Sequence, residues 1–310
     1  MNRITEISEE DELKPLIMQR ADPYVYLHHD GYYYFTASVP EYDRIELRRA
    51  WSVKALPDAA PEVIWRKHAE GEMSWHIWAP ELHFIDGSWY IYFAAGRADD
   101  TFKIRTYILE NKSPDPFCGE WKEKGMLKSA WDSFMLDCTV FEHDGKWYAV
   151  WAQKAPDAAD SSRIYIAALK NPWTLETEPI ELSRPEFDWE CRGFMVNEGP
   201  AVLKTDGKII ITYSASATDA SYCMGFLSAD DTSDILLAKN WKKSPVPIMT
   251  TNETKGIFGP GHNSFTKSRD GRENYMIYHA RPYAEVDLNF ALFDPNRHTW
   301  IKKIRNKFFE

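Results

Sequence analysis

The sequence predicts an all-β chain folded as a five-bladed β-propeller, a single domain over residues 1–310, on three observations. An Asp-Gly pair followed by a strand dense in aromatic and β-branched residues occurs five times. A second short apolar run precedes each pair, and this run–turn–run pattern is the signature of a tight β-hairpin. Successive pairs stand 56, 58, 62 and 64 residues apart, so five copies of one unit use up the 310 residues. Each unit has room for four strands, the content of a propeller blade.

In chain order, the hairpins join PYVYLHH to YYYFTAS across Asp30-Gly31, PELHFI to SWYIYFAAG across Asp86-Gly87, and CTVFEH to KWYAVWAQK across Asp144-Gly145. The last two join PAVLKT to KIIITYSAS across Asp206-Gly207, and NSFTKS to RENYMIYHARP across Asp270-Gly271. Ahead of them, residues 1–20 read as an extension in which Ser8 to Gln19 forms one short capped helix. Behind them, Leu288 to Trp300 is expected to complete the first or last blade and close the ring. Aromatics reach 15%, with 13 Trp and 16 Tyr. Such rings pack well on pleated surfaces, and their faces equally suit the apolar face of a sugar.

Composition excludes several classes of partner. The net charge is −10 with no basic stripe, which argues against nucleic acid. No stretch approaches the roughly 18 apolar residues that cross a bilayer. The acidic segment from Met1 to Ile17 has no apolar export core. Cys118, Cys138, Cys191 and Cys223 are scattered and read as free thiols of a reducing compartment. Together these features predict a cytoplasmic protein.

The chemistry is expected where the innermost strands converge on the axis. The segments entering those strands are Ala21-Asp22-Pro23, Ala79-Pro80-Glu81, Leu136-Asp137-Cys138, Glu198-Gly199-Pro200 and Gly261-His262-Asn263. Read as equivalent places in the repeat, they bring four carboxylates and one histidine together. Acidic groups in apolar strands are costly to desolvate without a partner or a task. A ring of them either binds a cation or performs acid/base catalysis, because crowding raises some carboxyl pKa values. Glu81 alone also reads as a structural brace.

These segments, in the forms ADPYV, WAPELHFIDGSWYIYF, LDCTVFEHDGKWY, NEGPAVL and GPGHNSF, resemble glycoside hydrolase family 43 in order from about Asp22 to Arg281. The resemblance implies a five-bladed inverting hydrolase acting on arabinose- or xylose-containing oligosaccharides. It implies Asp22 as general base, Glu198 as general acid and Asp137 as the group that orients the acid and modulates its pKa. Cys138 stands where the family usually has Pro. An inverting pair is expected to stand roughly 6.5–9.5 Å apart, leaving space for a water. The resemblance also implies Arg281 in the sugar pocket and His262 beside an axial calcium held through waters, with no cofactor required for the chemistry. Trp75 and Trp78 are expected to form a platform beneath the sugar.

Within the family, FDWECRGFMVNEGPAVL, TYSASATDASYCMGFL and DPNRHT resemble the α-L-arabinofuranosidases. The alternatives are a β-xylosidase, an endo-arabinanase and a non-catalytic carbohydrate-binding propeller. Glu190-Cys191 also resembles a motif of related retaining, invertase-like hydrolases. Those carry an Arg-Asp-Pro motif that this chain lacks, so Glu190 is expected at the rim or in a structural role.

Overall fold

A computed structural model describes residues 7–156, 158–287, 290–305 and 308–309. The first six residues of the extension, and Leu288 and Asn289 of the closing segment, lie outside them. Among the described residues, twenty strands form five antiparallel sheets. Blade I holds β1 (Ala21–Leu27), β2 (Tyr33–Ser38), β3 (Arg44–Ala50) and β4 (Glu62–Arg66). Blade II holds β5 (Trp75–Ile85), β6 (Ser88–Arg97), β7 (Asp100–Asn111) and β8 (Lys122–Met126). Blade III holds β9 (Met135–His143), β10 (Lys146–Gln153) and β11 (Arg163–Asn171), with β12 (Thr174–Leu175) and β13 (Ile180–Ser183) both paired to β11. Blade IV holds β14 (Asn197–Thr205), β15 (Lys208–Ala215), β16 (Cys223–Asp230) and β17 (Lys242–Lys243). Blade V holds β18 (Phe258–Lys267), β19 (Asn274–Arg281) and β20 (His298–Lys303). The inner strands β1, β5, β9, β14 and β18 each touch the next, and β18 meets β1.

Each Asp-Gly pair lies in the hairpin between its blade's first two strands. Asp86-Gly87, Asp144-Gly145 and Asp206-Gly207 have positive φ at both positions, as a type I′ turn demands. Blades I and V use longer loops in which Gly31 and Gly271 alone take positive φ. The second strands β2, β6, β10, β15 and β19 are buried along nearly their whole length. A strand covered by a neighbouring blade on both faces reads as a continuous apolar run instead of an alternating one. Apolar layers fill each space between blades: Tyr34 and Leu47 pack with Trp89 and Phe93, and Tyr92 and Ile108 with Trp151 and Tyr165. Val150 and Ile166 meet Ile211 and Tyr213, Met224 meets Met276 and Trp300, and Ile277 and Ile301 meet Val25 and Phe35.

The ends of the chain depart from the expected pattern. Ser8 to Gln19 forms no α-helix; only the single 3₁₀ turn Asp11–Leu13 is present. Pro15 has no N–H to continue a helix, and the chain is needed in extended form just beyond it. Leu16 N–H donates to Thr299 O (2.7 Å), and Thr299 N–H donates to Ile17 O (2.8 Å). Blade V therefore has three strands of its own, and the N-terminal segment adds to the free edge of β20. The closing segment belongs to the last blade, and both chain ends seal the ring there.

Every inner strand carries a two-for-one β-bulge at the same place. Residues 22–23, 79–80, 137–138, 199–200 and 262–263 each face a single residue of the second strand. The first of each pair has positive φ: Asp22 52°, Ala79 46°, Asp137 55°, Gly199 54° and His262 42°. A left-handed conformation costs a non-glycine residue on the order of 1–3 kcal/mol, and such strain concentrates at functional sites. Bulges bend a strand and re-aim its side chains. They also correct the expectation that the acidic residues occupy equivalent places. Asp22, Asp137 and His262 share the bulge position, whereas Glu198 precedes its bulge by one residue and Glu81 follows Ala79 by two.

Candidate active site

The bulges of blades I, III, IV and V open into one pocket of about 480 Å³. Asp22, Asp137, Glu198, His262, Tyr222 and Arg297 line it together with Trp78, Leu136 and Val196, and Phe102, Phe194 and Phe293 also face it. Those three phenylalanines remain more than half exposed, forming an apolar rim over a charged floor.

Asp22 is the most heavily partnered group. Its Oδ2 accepts from Ser38 Oγ (2.5 Å), and its Oδ1 lies 3.3 Å from His262 Nδ1 and 3.7 Å from Arg297 Nη1. The Asp22 N–H donates to Nδ1 of His279 (3.1 Å), which orients the bulge. Burial pushes the Asp22 carboxyl up, but the charges of His262 and Arg297 outweigh it and hold it far below the usual carboxylate range. Burial also drives His279 down to about 4, so its ring is neutral and free to accept.

Asp137 and Glu198 are pushed the other way. Burial raises Asp137 to about 7, and the negative charges of Glu198 and Asp22 add to that against the pull of His262. Burial likewise raises Glu198, opposed by a hydrogen bond from Tyr222 and by His262. Asp137 Oδ2 accepts from the Gly199 N–H (2.9 Å), which ties it to the peptide beside Glu198. A Cβ on Gly199 would come within 3.1 Å of the His262 ring, so only glycine leaves the imidazole its place. The floor thus holds one carboxylate that stays ionised and a pair that retains a proton near neutrality.

His262 Nδ1 lies 3.3 Å from Asp22 Oδ1 and 3.9 Å from Asp137 Oδ2. Burial lowers its pKa, but Asp137, Asp22 and Glu198 raise it further, and the net shift is upward. No group of three or more His, Cys, Asp or Glu able to hold a metal occurs among the described residues.

Other expected residues fall elsewhere. Arg281 is fully buried and does not line the pocket. Its Nε donates to Asp294 Oδ2 (2.6 Å), its Nη1 to Thr218 O (2.7 Å) and its Nη2 to Ala291 O (2.7 Å). It is a strut for the segment that carries Leu292, Phe293 and Arg297, and Arg297 takes the position expected of it. Trp78 lines the pocket, with its Nε1 buried and unpaired. Trp75 does not line it; the ring is 40% exposed, with Lys67 Nζ 5.4 Å from its centroid. Glu81 accepts from or shares a proton with His83 Nε2 (3.0 Å) and is a brace. Glu190 has no solvent exposure; it accepts from Asn197 Nδ2 and pairs with Lys243 Nζ at 2.9 Å. Removing one partner of a buried ion pair costs about 3–5 kcal/mol. Lys243→Ala should therefore lose that much stability in urea unfolding while kcat at low temperature is kept.

Sequence reasoning missed Arg297, Tyr222 and His279. His279 left one signal, a polar residue inside the apolar run YMIYHA of a middle strand, where desolvation demands a partner. Arg297 and Tyr222 sit outside the repeated hairpins, and their one signal was membership of DPNRHT and TYSASATDASYCMGFL, the segments that carry the subgroup resemblance.

A five-bladed propeller that gathers three carboxyl groups, shifted in opposite directions, in one axial pocket fits a glycoside hydrolase. Residues 13–307 match the model of glycosyl hydrolases family 43, and the chain belongs to that family. It is 53% identical to an extracellular exo-α-(1→5)-L-arabinofuranosidase of Streptomyces chartreusis, over 88% of this chain and 83% of that one. It is 50% identical to an enzyme of the same name from Streptomyces avermitilis, over 94% of this chain and 60% of that longer one. The crystal structure of an α-L-arabinofuranosidase from Lactobacillus brevis superposes with a TM-score of 0.92 at 50% identity, covering 96% of this chain and 94% of that one. The two Streptomyces relatives are named as extracellular, which overturns the cytoplasmic expectation. Free cysteines were a poor guide to compartment, because a chain of this size buries enough surface to need no disulfide.

Proposed function

We propose that the chain is an inverting exo-acting α-L-arabinofuranosidase that releases terminal arabinofuranose from arabino-oligosaccharides. Glu198 is the general acid, Asp22 the general base, and Asp137 the neighbour that orients the acid and modulates its pKa. The observation that carries this reading is the opposite displacement of Asp22 and the Asp137–Glu198 pair around one pocket. The names of the relatives support the substrate. In the reaction, Glu198 gives its proton to the glycosidic oxygen as the anomeric C–O bond breaks. Asp22 takes a proton from a water that attacks the anomeric carbon from the opposite face, so the sugar leaves with inverted configuration. Arg297, with its Nε unpaired, is assigned to a sugar hydroxyl in place of Arg281.

The pH dependence follows in sign. The acid must be protonated, so kcat/KM is present below the raised pKa of Glu198 and lost as pH rises through it. The base is ionised far into the acid range, so no acid limb from Asp22 should appear in the ordinary carboxylate region. An acid limb near pH 4 that vanished in a variant of Asp22 would contradict this.

The deciding experiment compares hydrolysis of an aryl α-L-arabinofuranoside and an aryl β-D-xylopyranoside, with Asp22→Ala as control. Preference for the arabinoside, lost in the variant, supports reaction and base together. Preference for the xyloside overturns the substrate and keeps the mechanism. Turnover of neither, with cleavage of polymeric arabinan, would make the enzyme endo-acting; no turnover at all would leave a binding module.

A further inference from the structure

We infer that Tyr222 is a positioning residue for the general acid: its phenol occupies one oxygen of Glu198 and so confines the transferable proton to the other. This inference rests on the assignment of Glu198 as the acid. Tyr222 Oη donates to Glu198 Oε1 (2.7 Å). An oxygen already accepting from a phenol is a poor place for the carboxyl proton, which is left on Oε2.

The phenol is held from three directions. Its ring stacks on His279 with centroids 5.6 Å apart and planes 3° from parallel. On another side it lies against the backbone of Gly261, where a Cβ would fall on its ring edge at Cδ1 and Cε1. Ser214 borders the phenol, and the His262 N–H donates to Ser214 Oγ (2.7 Å). Ser214 is also the direct cross-strand partner of Glu198 between β14 and β15. The bulge of blade V thus fixes Ser214 beside the phenol, and the phenol donates to the carboxyl in blade IV. Burial and the nearby Glu198 charge keep the phenol protonated well above its ordinary range, so it remains a donor throughout the working pH.

The same bond stabilises the ionised form of Glu198 and opposes the upward push of burial. Removing it must raise the pKa of the acid. Tyr222→Phe keeps the ring, its stacking on His279 and its contact with Gly261, so folding is retained and only the hydroxyl is lost. The expected result is an alkaline limb of kcat/KM displaced upward by about one pH unit. On an alkyl arabinofuranoside kcat should fall about tenfold, and on a p-nitrophenyl arabinofuranoside, which needs little protonation, less than about twofold. Gly261→Ala, which must displace the ring, should reproduce both changes, and the double variant should add nothing further.

An unmoved limb in Tyr222→Phe, or equal losses on the two substrates, would overturn the role of Tyr222. Glu198→Gln measured alongside separates the two levels. If it shows no discrimination between leaving groups, the acid assignment itself fails. If it discriminates while Tyr222→Phe leaves the limb in place, only the role of Tyr222 is lost.

Discussion

Replacing Glu198 with Gln is expected to lower kcat on arabino-oligosaccharides by about 10³-fold, within the range a general acid contributes. Glutamine keeps the size of the side chain and can still accept from Tyr222, so the loss reports the missing proton. The diagnostic feature is its dependence on the leaving group. A sugar alkoxide departs as a strong base and needs the proton, whereas p-nitrophenolate departs without help. The variant should therefore lose far less on the aryl arabinoside, and its alkaline limb should disappear because the titrating acid is gone. Equal activity of variant and parent on natural oligosaccharides would remove Glu198 from the mechanism.

The second large effect is expected at Asp22. Without the base, water is not activated, and turnover should fall at least about 10³-fold on activated and natural substrates alike. That indifference to the leaving group separates loss of the base from loss of the acid. The choice of substitution matters, because Asp22 has φ 52° and faces both His262 and Arg297. Asp22→Ala leaves a buried arginine without its counter-charge, and a broken buried pair costs about 3–5 kcal/mol. Asp22→Asn removes the charge too, but it tolerates the left-handed backbone and keeps the hydrogen bond from Ser38 and a polar carbonyl facing the arginine, so it is the milder control. Titration calorimetry with an arabino-oligosaccharide should show affinity changed by less than about tenfold in Asp22→Asn. Azide, small enough to take the place of the water, should partly restore turnover of the aryl arabinoside and give an inverted glycosyl azide. A variant with normal turnover would remove the base assignment.

The parts of this molecule legible in the sequence are those set by local rules. Asp-Gly hairpins announce themselves because positive φ at both turn positions is a requirement on two adjacent residues. The density of aromatic and β-branched residues in the second strands announced burial on both faces. Asp22, Asp137 and Glu198 were found because each sits in a motif attached to those hairpins. The family resemblance implies Arg281 as the pocket arginine, and nothing local shows that its guanidinium turns back to Asp294 and Ala291. The expected helix at Ser8–Gln19 followed composition, whereas a backbone bridge to Thr299, some 280 residues away, decided the outcome.

By itself the sequence determined the number of blades, the hairpins that begin them and the acidic residues that enter the axial strands, because turn geometry and burial pattern act over a few residues. Only the tertiary structure decided which of those acidic residues face one another. The bulges set Asp22, Asp137 and His262 in one register and stagger Glu198 and Glu81 by their own offsets, and a bulge exists only relative to a partner strand. The ionisation of the site was decided there too. Asp22 is held ionised by His262 and Arg297 from blade V and the closing segment, and Asp137 is raised by burial and then by the carboxylates of two other blades. Electrostatic interaction depends on distance through space, and here the groups that set each pKa lie far apart along the chain.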